Sequence, residues 1–407
     1  MVDEQVRMDT DSLASTPIAP LGIIAMPGCE ELGRRANEYL LRWRMGKEES
    51  VDDSQELYTS PGYRRETYLL EAECPRFGTG EGKGLLKQSV RGYDLYIISD
   101  VTAYQVTYKM YGQTVPMSPD DHYADLKRVI AAIGGKAKRI NVIMPFLYES
   151  RQHRRTSRES MDCAIALQEL KHMGVSNILT FDAHDPRVQN AIPLTGFESV
   201  HPTYQMLKAL CKNVPDLNIN RDNMMIVSPD EGAIGRSIYY STVLGLDMGV
   251  FIKRRDYTRV VDGRNPILSH DYIGDNVEGK DIIVADDIIS TGESILDLAR
   301  ELKARRANRI FAAGTFAFFT RGLDEFNKAY EEGAITRVLS TNLNYLPESI
   351  RTAPWFIEVD MSRYISLIVA TLNHDHSLHP LLNPLKRIKR LLERYRERQA
   401  DEGIRLV

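Results

Sequence analysis

The chain has 407 residues, 43% of them hydrophobic and 27% charged, with a formal net charge of −4. That length can bury a sizeable core and suggests two or three domains, and the ordinary composition is that of a soluble globular protein. The balance of charge gives no global nucleic-acid signal. The four cysteines, Cys29, Cys74, Cys163 and Cys211, stand far apart without CxxC or zinc-type spacing, as expected of thiols in a reducing cytoplasm.

The opening stretch MVDEQVRMDTDSLASTP is acidic and polar and lacks the apolar core of a secretory leader, so residues 1–19 read as a flexible tail. Apolar runs long enough for buried strands then recur: GIIAMPG (22–28), DLYIISD (94–100), RINVIMPFL (139–147), NILTFDAH (177–184) and MMIVSPD (224–230). The series continues with MGVFIKRR (248–255), DIIVADD (281–287), RIFAAGTFAFF (309–319) and WFIEVD (355–360). Helical patterns lie between many of them; Ile295, Leu298, Ala299 and Leu302 fall at i, i+3, i+4 and i+7. Such alternation implies parallel sheets with helices on both faces. A faint echo, DLxR followed by AxRI entering a strand, joins 125–142 to 297–312 and suggests two similar α/β domains meeting near residue 200.

Late in the chain, YISLIVATL (364–372) falls well short of the ~20 residues a membrane span needs. The end, NPLKRIKRLLERYRERQADEG (383–403), sets Leu385, Ile388, Leu391, Leu392 and Tyr395 on one stripe with basic flanks. That stripe should pack on the body or on another subunit, not on a membrane or nucleic acid. The arginines near residue 151 lack aromatic interleaving and are flanked by Glu149 and Glu159, which argues against a nucleic-acid patch.

Several strand runs end in chemically capable residues: Asp182 and His184, Asp230, Lys253, Asp286 and Asp287. Ligands of open α/β sheets bind at the carboxyl ends of strands. The richest of these endings is DIIVADDIISTGESILDLAREL (281–302). A strand entering a helix presents free N–H groups and a positive dipole end, and small hydroxyl residues let a phosphate come close. Helix capping by Ser290 or Thr291 would account for one hydroxyl but not for two carboxylates. Asp286 and Asp287 need ribose hydroxyls, Mg²⁺ or both, so Ser290, Thr291, Gly292, Glu293 and Ser294 read as a seat for a sugar phosphate. GTGEGKG (78–84), by contrast, lacks the spacing and the hydroxyl of a Walker loop. Lys253 and Arg255 share one face of an extended segment, which suits a polyphosphate, and the polar, turn-rich run that follows (255–271) reads as a mobile lid.

The 281–302 stretch resembles the phosphoribosyl signature shared by type I phosphoribosyltransferases and the ribose-phosphate pyrophosphokinases. The rest of the chain resembles the pyrophosphokinases. SPDEGAIGR (228–236) is similar to their SPD–Gly–basic motif, with Asp230 and Arg236 in place. FDAH (181–184) is similar to their Asp-x-His stretch, which makes His184 a magnesium ligand by resemblance. The run 139–155 carries their Arg-Gln pair as Arg151 and Gln152, ATP contacts in the family. RFGTGE (76–81) resembles their Phe-Ser-Asp-Gly-Glu, with Phe77, Gly80 and Glu81 in place and Thr79 for the usual aspartate. Lys253 and Arg255 match their catalytic Lys-x-Arg. The resemblance covers roughly residues 22–375 in the family's order, and the family usually has an acidic residue at position 290 and glycine at 293.

What the resemblance implies is a two-domain α/β chain with tandem type I phosphoribosyltransferase-like domains. Residues 20–200 would form the ATP-binding part, 201–380 the ribose 5-phosphate part, and 381–407 a basic amphipathic helix. The implied reaction is ATP + D-ribose 5-phosphate → AMP + 5-phospho-ribose 1-diphosphate. Mg²⁺ would be held through His184 and Asp230, and Phe77 would reach the site of a neighbouring subunit in a cytoplasmic homo-oligomer, a hexamer by resemblance. Two other readings stand beside it: a phosphoribosyltransferase, which leaves the N-terminal half unexplained, and a non-catalytic regulatory homologue.

Overall fold

Five of the strands pair in the order in which the chain makes them, all parallel: β1 (Leu21–Ala25), β2 (Asp94–Ile98), β3 (Arg139–Ile143), β4 (Asn177–Phe181) and β5 (Gly196–Val200). In the computed structural model the described residues are 16–48, 65–155, 157–255 and 267–401. They divide into two units, and this sheet belongs to the first. Every residue of β2 is buried, as a continuous apolar run covered on both faces requires. Between the sheet's strands lie the helices α1 (Glu30–Glu48), α2 (Pro119–Ile133) and α3 (Asp162–His172). Local signals fix α2 at both ends. Ser118 Oγ accepts from the Asp121 N–H while Asp121 Oδ2 accepts from the Ser118 N–H, Pro119 opens the first turn, and Gly134 closes the helix in the left-handed region.

The second unit holds α4 (Thr203–Asn213), β6 (Met224–Ser228), α5 (Ile234–Leu244), β7 (Asp247–Arg255), β8 (Ile267–Gly274), β9 (Asp281–Ile289), α6 (Glu293–Ala304), β10 (Ile310–Ala317), α7 (Asp324–Glu331), β11 (Arg337–Thr341) and β12 (Phe356–Val359). Its strands run in the order β8-β7-β6-β9-β10-β11-β12, parallel except for the antiparallel edge β8. An aromatic cluster packs beneath the start of α6. Phe326 stacks on Trp355 at 5.1 Å and meets Phe319 edge-on at 4.9 Å, with Ile289, Ile295 and Leu296 beside them. The Trp355 indole N–H is satisfied by Asn327 Oδ1 at 2.8 Å.

Three segments differ from the sequence expectation. Residues 1–15 lie outside the described residues, but Ile18 and Ala19, read as tail, are bonded to Asn373 at 2.9 and 3.1 Å. Residues 342–345 and 360–383 belong to the first unit, not the second. The reason is α8 (Ser362–Asn373), buried along nearly its whole length, whose Ser366 hydroxyl donates to the Ala36 carbonyl of α1 at 3.2 Å. The C-terminal helix α9 begins at Leu385 and runs to Asp401. It buries Ile388, Leu392, Tyr395 and Gln399, and Tyr395 and Gln399 bond the 214–217 backbone after α4. β5, β8 and β11 were not read from sequence: GFESV and RVLST are short and mixed, and ILSHDYIG is polar and continues the run taken for a lid.

The echo between the halves has a structural counterpart. Asp94 opens β2, is fully buried, and accepts from Arg139 Nε and Nη2 at 2.7 and 2.9 Å. Asp281 opens β9 and accepts from Arg309 Nη2 at 2.7 Å, with Arg309 standing just before β10. Each arginine comes from the AxRI motif of its half, and each pins its strand to the neighbouring one. Asp94 also accepts from Tyr96 OH at 2.8 Å, Asn141 Nδ2 at 2.9 Å and Asn373 Nδ2 at 3.0 Å. Five donors offset the desolvation of one carboxylate. Removing it takes the closest counter-charge from the half-buried Arg139 and leaves the buried Tyr96, Asn141 and Asn373 donors without their shared acceptor, a loss of about 3 kcal/mol or more. Asp94→Ala is therefore expected to cut protection of the β2 and β3 amides in hydrogen exchange by orders of magnitude. Unchanged protection would show that the network contributes nothing.

Candidate active site

From the central strand β6 the chain moves to β7 and β8 on one side, then returns through β9 and lays β10–β12 on the other. A reversal of this kind opens a crevice at the carboxyl ends of the two central strands. β6 ends at Ser228, whose hydroxyl donates to the Asp230 carbonyl at 2.9 Å. Asp230 turns its carboxylate onto the backbone ahead of α5, accepting from the Gly232 and Ala233 N–H groups at 3.1 and 3.2 Å. It thereby fixes the start of the helix that carries Arg236.

β9 runs two residues beyond the expected end, so Asp286 and Asp287 lie within the strand, past the stretch paired with β6. Successive strand residues ordinarily face opposite ways. Here Asp286 Oδ1 folds back to accept from the Asp287 N–H at 2.9 Å, and one guanidinium reaches both carboxylates. Arg236 Nη1 lies 3.7 Å from Asp286 Oδ1 and 3.8 Å from Asp287 Oδ1. Burial, reinforced by Asp287, pushes the Asp286 carboxyl well above its ordinary range; Arg236 opposes the rise and Asp230 adds to it. The sequence singled out all four residues but gave no hint that Arg236 joins the two aspartates.

The turn that follows is held from below. Gly292 has φ +83°, and a Cβ there would sit 2.1 Å from the Phe326 ring, so glycine is required both by conformation and by space. Thr291 Oγ1 accepts from the Glu293 N–H at 3.3 Å. The segment after β10 runs alongside, with the Phe318 N–H donating to the Ile289 carbonyl at 2.8 Å and the Thr320 N–H to the Ser290 carbonyl at 3.0 Å. Ser290 and Thr291 are half-buried, while Glu293 and Ser294 lie exposed in the first turn of α6, whose N–H groups form an anion site. The Glu293 carboxylate meets Arg321 at 3.1 Å.

In the first unit, His184 is exposed beyond the end of β4. Its N–H is held by Ser150 Oγ at 3.1 Å and its ring lies 5.4 Å from that of His153. Asp182 is buried with φ +47° and bonds His201 Nδ1 at 2.9 Å, a carboxylate–imidazole pair that sequence reasoning missed because β5, which ends beside His201, was not recognised. Arg151 is exposed, and Gln152 donates to the Ser160 carbonyl at 2.8 Å. This segment is tied to α2 by Tyr148, stacked on Tyr123 at 4.3 Å.

The 76–81 loop is tied to the same helix separately. Arg76 forms a two-pronged bond with the buried Asp125 at 2.5 and 2.9 Å. The Phe77 N–H donates to the Glu81 carbonyl at 2.7 Å, Thr79 Oγ1 donates to Glu81 Oε2 at 2.8 Å, and Gly80 turns at φ +94°. A tight turn thus presents Phe77, 59% exposed. Lys253 and Arg255 lie on the backbone of β7 opposite His270 and Ile267. The expectations for their side chains, and for the lid over 256–266, fall outside the described residues.

A family model described as the N-terminal domain of ribose phosphate pyrophosphokinase matches residues 22–174, and a phosphoribosyl transferase domain model matches 198–330. The ribose-phosphate pyrophosphokinase of Vibrio parahaemolyticus is 26% identical over 319 residues, 77% of this chain and 92% of the relative. That of Pasteurella multocida is 30% identical over 274 residues, 66% of this chain and 75% of the relative. In fold, the chain is similar to the crystal structure of phosphoribosylpyrophosphate synthetase from Mycobacterium smegmatis, with a TM-score of 0.64 at 20% identity, covering 87% of this chain and 98% of that one.

The aspartate pair has a measurable signature. With Asp286 raised, the folded protein keeps a proton that the unfolded chain has lost. Stability therefore falls as pH rises from the ordinary carboxylate range toward the folded value of Asp286. Arg236→Gln removes the opposing charge and carries that fall to higher pH. The variant is expected to lose more thermal stability near neutrality than at about pH 4. Equal losses at both would mean that Arg236 only fills space.

Proposed function

The chain belongs to the ribose-phosphate pyrophosphokinase family, and we propose on that footing that it makes 5-phospho-ribose 1-diphosphate and AMP from ATP and D-ribose 5-phosphate. The observation that carries the proposal is the meeting, at the carboxyl end of β9, of an anion-binding turn with two carboxylates under one arginine. A sugar phosphate offers what both need. The turn 290–294 receives the 5-phosphate, while Asp286 and Asp287 accept from ribose hydroxyls. The match of residues 22–174 to the N-terminal domain favours a synthase over a phosphoribosyltransferase, which has no use for that half.

In the reaction the ribose 1-hydroxyl attacks the β-phosphorus of ATP in line. A bond forms between that oxygen and the β-phosphorus, the bridge to the α-phosphorus breaks, AMP leaves and the hydroxyl proton is lost. Transfers of this type depend on positioning and charge neutralisation more than on covalent help. We assign neutralisation of the transferring group to Lys253 and Arg255, and ATP binding to Phe77, Thr79, Gly80, Glu81, Arg151 and Gln152. A tight turn offering an exposed Phe77 suits a site on a neighbouring subunit, so we assign a homo-oligomer as the working form.

The family generally needs Mg²⁺. Among the described residues no three His, Cys, Asp or Glu side chains converge as a metal cage. An exposed imidazole and separate carboxylates suit an ion that keeps its waters and is completed by substrate phosphates. His184 is the ligand we assign in the first unit, and the ion when bound would offset charge on the ATP phosphates.

The deciding experiment is purified protein with ribose 5-phosphate, ATP and Mg²⁺, followed for AMP and phosphoribosyl diphosphate. Formation of neither product sinks the proposal. In an active enzyme, Lys253→Ala is expected to lower kcat at least ~100-fold, as loss of one transition-state donor does, with little change in ribose 5-phosphate binding. Activity within a few-fold of the parent would move catalysis elsewhere. His184→Ala is expected to raise the Mg²⁺ concentration needed for half-maximal rate. An unchanged metal dependence would leave His184 a structural role only.

A further inference from the structure

Glu293 poses a problem of charge. It opens α6 inside the turn that is otherwise built of Ser290, Thr291, Gly292 and Ser294, where the family usually has glycine. A helix N-terminus favours a carboxylate and a phosphate alike. With a 5-phosphate bound, two anions would share one helix end.

Arg321 lies where it answers that problem. Its backbone is fixed on the turn's own flank, because the preceding residue, Thr320, donates its N–H to the Ser290 carbonyl at 3.0 Å, and the Phe318 N–H holds Ile289 at 2.8 Å. Phe319 is buried against Phe326, the ring that also fills the space over Gly292. Gly322 ends the segment at φ +82°. The side chain between these fixed points reaches Glu293 Oε2 at 3.1 Å. As a contribution to folding the contact is negligible, since the two side chains are 70% and 64% exposed. Its consequence is local: it cancels a negative charge at the mouth of an anion site.

We propose that Arg321 is a positioning residue for ribose 5-phosphate, acting by neutralising Glu293 beside the bound 5-phosphate. This rests on the turn being the 5-phosphate seat. The site therefore stays open to a dianion while the Glu293 carboxylate is either neutralised by Arg321 or absent.

A double-mutant cycle tests it, with the Kd for ribose 5-phosphate measured by calorimetry and KM measured in turnover for the parent, Arg321→Ala, Glu293→Gly and the double variant. Arg321→Ala exposes the carboxylate and is expected to weaken binding about tenfold, an effect seen more in KM than in kcat. Adding Glu293→Gly should return Kd to within about threefold of the parent, because the carboxylate that Arg321 offsets is then gone. Raising the salt concentration should shrink the Arg321→Ala defect. Unaltered binding in Arg321→Ala or a defect that Glu293→Gly does not relieve would overturn the proposal. A parent that binds ribose 5-phosphate without producing AMP would defeat the assigned reaction while the calorimetric cycle still decides the role of Arg321. A parent that binds no ribose 5-phosphate would defeat both.

Discussion

Two carboxylates on adjacent residues, Asp286 and Asp287, are held under the single guanidinium of Arg236, and the second unit is organised around that arrangement. Like charges at the end of a buried strand repel and resist desolvation, so they need a counter-charge fixed in place. Arg236 comes from α5, whose start is fixed by the carboxylate of Asp230, which in turn follows the end of β6. β6 and β9 are neighbours because the strand order reverses between them.

The acids of this protein divide by their position on the strands. Asp94 and Asp281 stand at the amino ends of β2 and β9, each in a strong bond with an arginine, and serve as staples between strands. Asp182, Asp230, Asp286 and Asp287 stand at or beyond the carboxyl ends. There the partners are an imidazole, backbone N–H groups and a more distant guanidinium. A parallel sheet gathers its carboxyl ends on one side, where ligands of open α/β sheets bind, so acids that begin strands are free to serve stability. That the AxRI arginines of both halves perform the same stapling gives the short sequence echo a physical meaning.

Much of the stretch at the carboxyl end of β9 was legible because it is contiguous. The run from Asp286 to Ser294 combines a strand, a glycine-bearing turn and a helix within one short stretch, so periodicity and residue chemistry suffice to read it. The requirement for Gly292 was only half visible. Its left-handed φ could be anticipated from a tight turn, but the Phe326 ring that excludes a Cβ comes from α7, far along the chain. The charge balance at Glu293 was equally out of reach, since nothing in the local pattern indicates that residue 321 lies beside it. Strands with continuous apolar runs were read, whereas β5, β8 and β11 carry mixed residues and declare themselves only through their neighbours.

By itself, then, the sequence determined the α/β class, the family and the residue types at the strand ends, because each depends on neighbours within a few positions along the chain. Tertiary structure alone decided that Arg236 serves both aspartates, that Asp182 orients His201, that Arg321 answers Glu293, and that α8 returns to the first unit. Those pairings join residues between 19 and more than 300 positions apart. Only packing, which selects among many chemically acceptable partners by shape and distance, can specify them.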